Sequence, residues 1–243
     1  MPVPRVPDLR GQTVVVIGGS AGIGLETARR ARDEGANLIL AGRDPERLQE
    51  AARALDATSR AFDANDPAAL ERFFGELPGT IDHVMVTAGR PTYGPILEMD
   101  LGEVRRALAE HVLLEIQVAR CAAGKMRPGG TLLFVGGTGG RQTAPGFALI
   151  SALTAAGPAM TRSLALEIAP IRVNLIAAGF VDTPLSAALL GDQLEARREQ
   201  LRTTLPVQRV IGPADIAALA VHLMTNTAVT GATFDIDGGQ QLV

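Results

Sequence analysis

The chain has 243 residues, 47% of them hydrophobic and 20% charged, with a net charge of −3 and a pI near 5.7. Its size and apolar content suffice for one substantial core, while 3% aromatic residues and no basic excess leave neither the charge nor the stacking surface that nucleic-acid binding needs. The single cysteine, Cys121, excludes an internal disulfide and fits a reducing cytosol. The opening segment Met1–Pro7 lacks the apolar core of a secretory signal, and no stretch is apolar for long enough to span a membrane. A cytoplasmic protein is expected.

Short apolar runs alternate with amphipathic segments, the pattern of βαβ units on a parallel sheet. Thr13–Ile17 predicts a first strand, followed by the glycine-rich turn Gly18-Gly-Ser-Ala-Gly-Ile-Gly24 and a helix that Gly35 ends in left-handed backbone. Asn37–Ala41 predicts the second strand, and Asp44-Pro45 a capped helix start. A weak third strand is expected near Ser59–Phe62, then a helix start at Asp66-Pro67. His83–Thr87 follows as a strand, then a helix capped by Asp100 with Glu103 and running toward Cys121.

Thr131–Val135 precedes a long apolar helix over Phe147–Ile168. Pro158 inside it lacks an amide donor and clashes with the carbonyl of Thr154, which predicts a kink or a restarted helix. Ile171–Ile176, a helix start at Gly212-Pro213 and Thr233–Asp237 complete the series. Most strands are apolar throughout, as expected where helices cover both faces. The expected architecture is a single domain over residues 1–243: a Rossmann-type, doubly wound parallel sheet of about seven strands flanked by helices.

The first turn carries the chemistry. Following a strand and opening a helix, Gly18 permits a tight turn, Gly22 leaves room for phosphate and Gly24 lets the helix pack closely. The helix amino terminus, with Ser20, Ala21 and Ile23, then faces a pyrophosphate. At the end of the second strand an acid would bind the ribose of NAD; Gly42 and Arg43 stand there instead, and a guanidinium suits a 2′-phosphate. NADP(H) is therefore expected over NAD(H), the alternative being that Arg43 merely opens a solvated loop with Asp44. His83, His111 and His222 lack metal-ligand spacing, so no metal site is expected.

The spacing of Gly18, Gly22 and Gly24 resembles the short-chain dehydrogenase/reductase family, and the resemblance covers nearly the whole chain. Val86-Thr-Ala-Gly89, Arg172-Val-Asn-Leu-Ile-Ala-Ala-Gly-Phe-Val-Asp-Thr183, Gly212-Pro-Ala-Asp-Ile216 and Thr230-Gly231 with Asp237-Gly-Gly239 are similar to its later signatures. It implies Asp63 and Ala64 at the adenine, Ala88 and Gly89 along the cofactor, and Thr183 on the nicotinamide amide. It also implies a homodimer or homotetramer through the helices over 100–121 and 147–168.

The family's catalytic Asn, Ser, Tyr and Lys fall on His111, Gly137, Ile150 and Thr154 when counted from Met126-Arg-Pro-Gly-Gly130. The one tyrosine, Tyr93, and the one lysine, Lys125, stand elsewhere. In the family the Lys lowers the pKa of the Tyr that moves the carbonyl proton. His111, which can titrate near neutral pH, and Tyr93, on the loop after the fourth strand, are the candidate replacements. The alternatives are a packed or solvated helix histidine and a pocket-lining or surface tyrosine. Gly136–Gly140 reads as a flexible or close-packed loop. Three functions fit: an NADP(H) oxidoreductase with unusual proton-transfer residues, a catalytically silent cofactor-binding subunit, or a non-redox enzyme reusing the cavity. Reduction of common ketones and aldehydes is expected to be very slow or absent.

Overall fold

Apolar runs that cannot face water on either side become the middle layer of the molecule. In the computed structural model, which describes residues 8–141 and 143–243, they form β1 (Thr13–Ile17), β2 (Asn37–Gly42), β3 (Thr58–Ala61), β4 (Ile81–Val86), β5 (Met126–Gly137), β6 (Arg172–Ala178) and β7 (Thr233–Ile236). The strands pair in parallel in the order β3-β2-β1-β4-β5-β6-β7. The reading of Met1–Pro7 as lacking a secretory core lies outside the described residues.

Nine helices connect the described strands: α1 (Gly22–Asp33), α2 (Pro45–Ala54), α3 (Pro67–Glu76), α4 (Leu101–Leu108), α5 (Leu114–Ala123), α6 (Ala148–Glu167), α7 (Pro184–Leu190), α8 (Leu194–Thr204) and α9 (Pro213–Thr225). Successive residues of a strand point to opposite faces. Val14 and Val16 accordingly join one buried layer with Ala28 and Val221, while Val15 and Ile17 join the other with Phe74 and Val118. None of the described helices is long and apolar enough to cross a membrane.

The expected starts hold for α2, α3 and α4, where Asp44, Asp66 and Asp100 each accept two backbone amides. Gly212 has no side chain to cap α9. Asp215 instead accepts the Gly212 amide at 2.9 Å while paired with Arg209. Arg172 closes the other end of α9, donating to the carbonyls of Leu223, Met224 and Asn226 from the start of β6.

Three differences from the sequence reading have local causes. β5 begins at Met126 rather than Thr131, because Met126 pairs with Ile81 across a register shift; Arg-Pro-Gly-Gly reads as turn chemistry, yet the strand carries it. The expected helix from Asp100 toward Cys121 contains a wide π turn, Ala109–Leu113, between α4 and α5. Such a turn inserts a residue into the helix and rotates the side chains beyond it. Finally, of the two outcomes expected at Pro158 the restarted helix does not occur: α6 runs unbroken through it, with Leu149, Ile150, Leu153, Gly157 and Thr161 buried along it. Packing of that face outweighs the one backbone bond that proline removes.

His83 in β4 is buried, its Nε2 2.7 Å from Gln12 Oε1 and its Nδ1 without a partner among the described residues. Burial, with Arg172 and Arg127 adding to it, pushes its pKa down to about 3. The unfolded chain takes up this proton near pH 6.5, so stability is complete above that pH and is lost as pH falls toward 3. The loss amounts to about 2–3 kcal/mol between pH 6.5 and 4.5, at ~1.4 kcal/mol per unit. Urea unfolding at the two pH values should show it in the wild type and show most of it gone in His83→Gln.

Candidate active site

The turn after β1 is shaped by what cannot fit. Gly18 has φ +95° and Gly22 φ +54°, backbone that favours glycine. A Cβ on Gly24 would lie 2.2 Å from the Gly18 carbonyl oxygen and 2.7 Å from Thr87 Oγ1; one on Gly18 would meet the same hydroxyl at 2.4 Å. Thr87, directly after β4, lies 3.2 Å from the carbonyl oxygens of both Ile17 and Gly18 and can donate to either. The amides of Gly18 and Gly19 donate to the Ala41 carbonyl, so these two residues hold the turn. The amides that open α1 differ: Ala21 is the cap residue and no side chain bonds them. Four orphan amides at a helix start make an anion site.

Two adjoining cavities lie along the carboxyl ends of the strands, sharing Thr87, Ala88, Gly89 and Glu110. The smaller, about 180 Å³, is lined by Gly18, Ser20, Gly42, Arg43, Asp63 and Ala64 among others. Arg43 is exposed on its wall with no hydrogen-bond or ion-pair partner among the described residues, whereas Asp44 is occupied in capping α2. Asp63 accepts the Asn65 amide at 3.0 Å in a local turn. The expected residues Ser20, Arg43, Asp63, Ala64, Ala88 and Gly89 thus converge here, while Ala21, Gly22 and Gly24 form the neighbouring helix start and line neither cavity.

The larger cavity, about 570 Å³, holds Ile23 and Thr183 together with His111, Gly137, Ile150 and Thr154. Residues separated by more than forty positions therefore meet, and the space where the resemblance places a proton-transfer group is bounded by a glycine, an isoleucine and a threonine. The Thr154 hydroxyl donates back to the Ile150 carbonyl at 2.8 Å within its own helix. Gly136–Gly140 packs against α6: a Cβ on Gly140 would lie 3.0 Å from the Ala155 amide nitrogen. Thr183 caps α7, its Oγ1 accepting the Ser186 amide at 3.2 Å. Lys125 lies away from both cavities, donating from Nζ to the Gly75 carbonyl.

The two candidate replacements occupy the larger cavity in different states. Tyr93 stacks near Phe147, with ring centroids 5.3 Å apart, and is 54% exposed. Burial of its hydroxyl raises its pKa above the ordinary phenol value despite Arg197, the reverse of the tuning a catalytic tyrosine needs. His111 sits in the π turn with Nδ1 3.0 Å from the Ala107 carbonyl oxygen. A carbonyl can only accept, so Nδ1 carries the hydrogen, and the Nε2 of the neutral ring is an acceptor.

Sequence reasoning missed Glu115. It lies on the same cavity wall one turn beyond His111, with no hydrogen-bond or ion-pair partner among the described residues. Burial pushes its pKa up to about 8. In a regular helix its i, i+4 spacing would put it on the face of His111, a signal that the intervening π turn alters. Among the described residues no group of three His, Cys, Asp or Glu is placed to hold a metal ion.

Comparison with known proteins agrees with this fold. A family model described as enoyl-(acyl carrier protein) reductase matches residues 18–241. The short-chain dehydrogenase/reductase ATR9 of Stachybotrys chlorohalonatus is 28% identical over 254 residues, covering 96% of this chain and 98% of that protein. The structure of MalC reductase/Diels-Alderase from Malbranchea aurantiaca superposes with a TM-score of 0.90 at 26% identity, covering 97% of this chain and 98% of MalC. A small-chain dehydrogenase in complex with NADPH superposes with a TM-score of 0.83 at 27% identity, covering 96% of this chain and 99% of that one.

The close approach at Gly24 predicts that Gly24→Ala forces the β1–α1 turn apart and lowers stability by about 1–3 kcal/mol, the usual scale of overpacking. Gly75 in α3 has nothing within 4 Å of a new Cβ. There Gly75→Ala should instead stabilise by about 0.5–1 kcal/mol through helix propensity. Thermal unfolding of the two variants checks both signs.

Proposed function

The chain belongs to the short-chain dehydrogenase/reductase family, and on that footing we propose that it is an NADP(H)-dependent oxidoreductase whose proton source is not the Tyr–Lys pair usual in that family. The observation that carries the cofactor choice is Arg43: unpaired among the described residues, on the wall of the smaller cavity, beside Gly42 where an acid would repel phosphate. The uncapped start of α1 offers its amides to a pyrophosphate, and Gly22 leaves space there. Asp63 and Ala64 would border the adenine, and Thr183, Ala88 and Gly89 the nicotinamide end. NADPH bound there supplies a hydride to the larger cavity. One structural neighbour, a small-chain dehydrogenase described in complex with NADPH, supports the same preference.

A second reading, catalysis without redox in the same cavity, is favoured by one observation. The larger cavity has an apolar wall built from Ile23, Val135, Phe147, Ile150, Leu185 and Leu189. Such a wall can hold a flexible apolar ligand in a folded shape, an orientation effect that accelerates reaction without a proton donor. MalC carries both a reductase and a Diels-Alderase description.

The protein is proposed to work in the cytosol as a homodimer or homotetramer. Leu101, Leu108, Leu113 and Ile116 are exposed along α4, the π turn and α5, and Leu166 is exposed on α6, an apolar surface that self-association would cover. Cys121 is a free thiol on α5, as a reducing compartment allows.

Calorimetric titration with NADPH and NADH tests the cofactor assignment. The wild type should bind NADPH more tightly, and Arg43→Ala should weaken NADPH alone by about 1.5–3 kcal/mol, the scale of a charged hydrogen bond. Equal weakening of both nucleotides, or tighter NADH binding by the wild type, contradicts the assignment. Light scattering at micromolar concentration should give a mass at least twice 25.4 kDa.

A further inference from the structure

The larger cavity contains an acidic side chain that neither the family pattern nor the proposed cofactor explains. Glu115 lies in the first turn of α5, directly after the π turn, and lines a cavity wall that is otherwise largely apolar. A carboxylate in such a half-buried place is favoured by a cation beside it, because an unpaired and poorly hydrated charge is costly. Among the described residues Glu115 has neither a hydrogen bond nor an ion pair; Glu103, Glu195 and Glu199 have arginine partners, whereas Glu110 on the same cavity wall has none.

The ionisable groups around the cavity are Glu110 and His111 on the same helix, Arg90 and Tyr93 on the loop after β4, and Arg197 on α8. Of the other elements packed on this helix, α3 carries Glu71, Arg72 and Glu76, α6 Arg162 and Glu167, and β5 Arg127. None of them perturbs Glu115; its pKa is raised by burial alone.

We propose that Glu115 is the catalytic proton donor of this protein, delivering its carboxyl hydrogen to the oxygen of a carbonyl substrate held in the larger cavity. The inference rests on the oxidoreductase reading above. Its neighbours favour it over the two residues singled out from sequence. The Nδ1 hydrogen of His111 is taken up by the Ala107 carbonyl, and the Tyr93 hydroxyl is tuned away from proton release. A carboxyl group that stays protonated at neutral pH has a hydrogen to give and is poised near working pH.

The step balances as a carbonyl reduction. Two electrons and a hydrogen reach the carbonyl carbon as hydride at the expense of a reduced nicotinamide, and the C=O π pair moves to oxygen. The Glu115 O–H bond breaks as the substrate O–H bond forms, and the carboxylate left behind takes a proton from water through the open cavity. The substrate class is an apolar aldehyde or ketone without a carboxylate of its own, which Glu115 would repel once ionised.

The test uses the whole protein, NADPH and 2-naphthaldehyde as the probe. Difference infrared spectroscopy should show a protonated-carboxyl C=O stretch that disappears as pH rises through about 8 and is missing in Glu115→Gln. NADPH-dependent reduction of the probe should fall over the same pH range in the wild type and drop by about 10²–10⁴-fold in Glu115→Gln. NADPH binding by calorimetry should be equal in both proteins. Failure of the wild type to bind NADPH would overturn the oxidoreductase reading itself. Normal NADPH binding with no probe reduction, with no titrating carboxyl band, or with an unchanged rate in Glu115→Gln would overturn the role of Glu115 alone.

Discussion

The contact between the carbonyl of Gly18, the Cα of Gly24 and the hydroxyl of Thr87 sets the geometry on which the rest of the site depends. It joins the end of β1, the start of α1 and the residue after β4 in one close-packed knot, where any side chain on Gly18 or Gly24 would overlap its neighbours. Because that knot is tight, α1 begins directly over the carboxyl edge of the sheet. Its uncapped start lies beside the crevice between β1 and β4, where the strand order turns from descending to ascending. Open parallel sheets bind their ligands at such reversals. The two cavities meet at Thr87, Ala88, Gly89 and Glu110, beside the same knot.

From that point the site divides by polarity. The smaller cavity has Arg43, Asp63 and Ser20, groups suited to a charged nucleotide. The larger is walled mainly by aliphatic and aromatic side chains, with a few ionisable groups among them. Helix α6, buried along one face, brings Ile150 and Thr154 to this wall; the π turn after α4 brings His111, and the first turn of α5 brings Glu115. Water would hydrate an acid freely in an open cleft. Against this wall it does so poorly, and the neutral form of Glu115 is favoured.

Much of this was legible in the sequence. Strand positions followed from apolar runs bounded by Gly, Pro and Asp, and Asp44, Asp66 and Asp100 marked helix starts that their side chains do cap. The turn from Gly18 to Gly24 could be read because steric exclusion leaves a glycine at each point where it acts. The π turn was not legible, since nothing in Ala109–Leu113 distinguishes it from an ordinary helix segment packed on α6. Pro158 left two outcomes open, and the restarted helix does not occur, since α6 continues through it with one face buried. Glu115 could not be distinguished from a solvated helix glutamate, because its significance lies in the apolar wall that distant segments build around it. Nothing local in the sequence records that wall.

The most direct test of the account is a crystal structure of the protein grown with NADPH. The pyrophosphate is expected on the opening amides of α1, the 2′-phosphate within hydrogen-bond distance of Arg43, and the nicotinamide in reach of the cavity that Glu115 lines. A nucleotide bound with its 2′-phosphate turned away from Arg43, or with its nicotinamide outside that cavity, would contradict it.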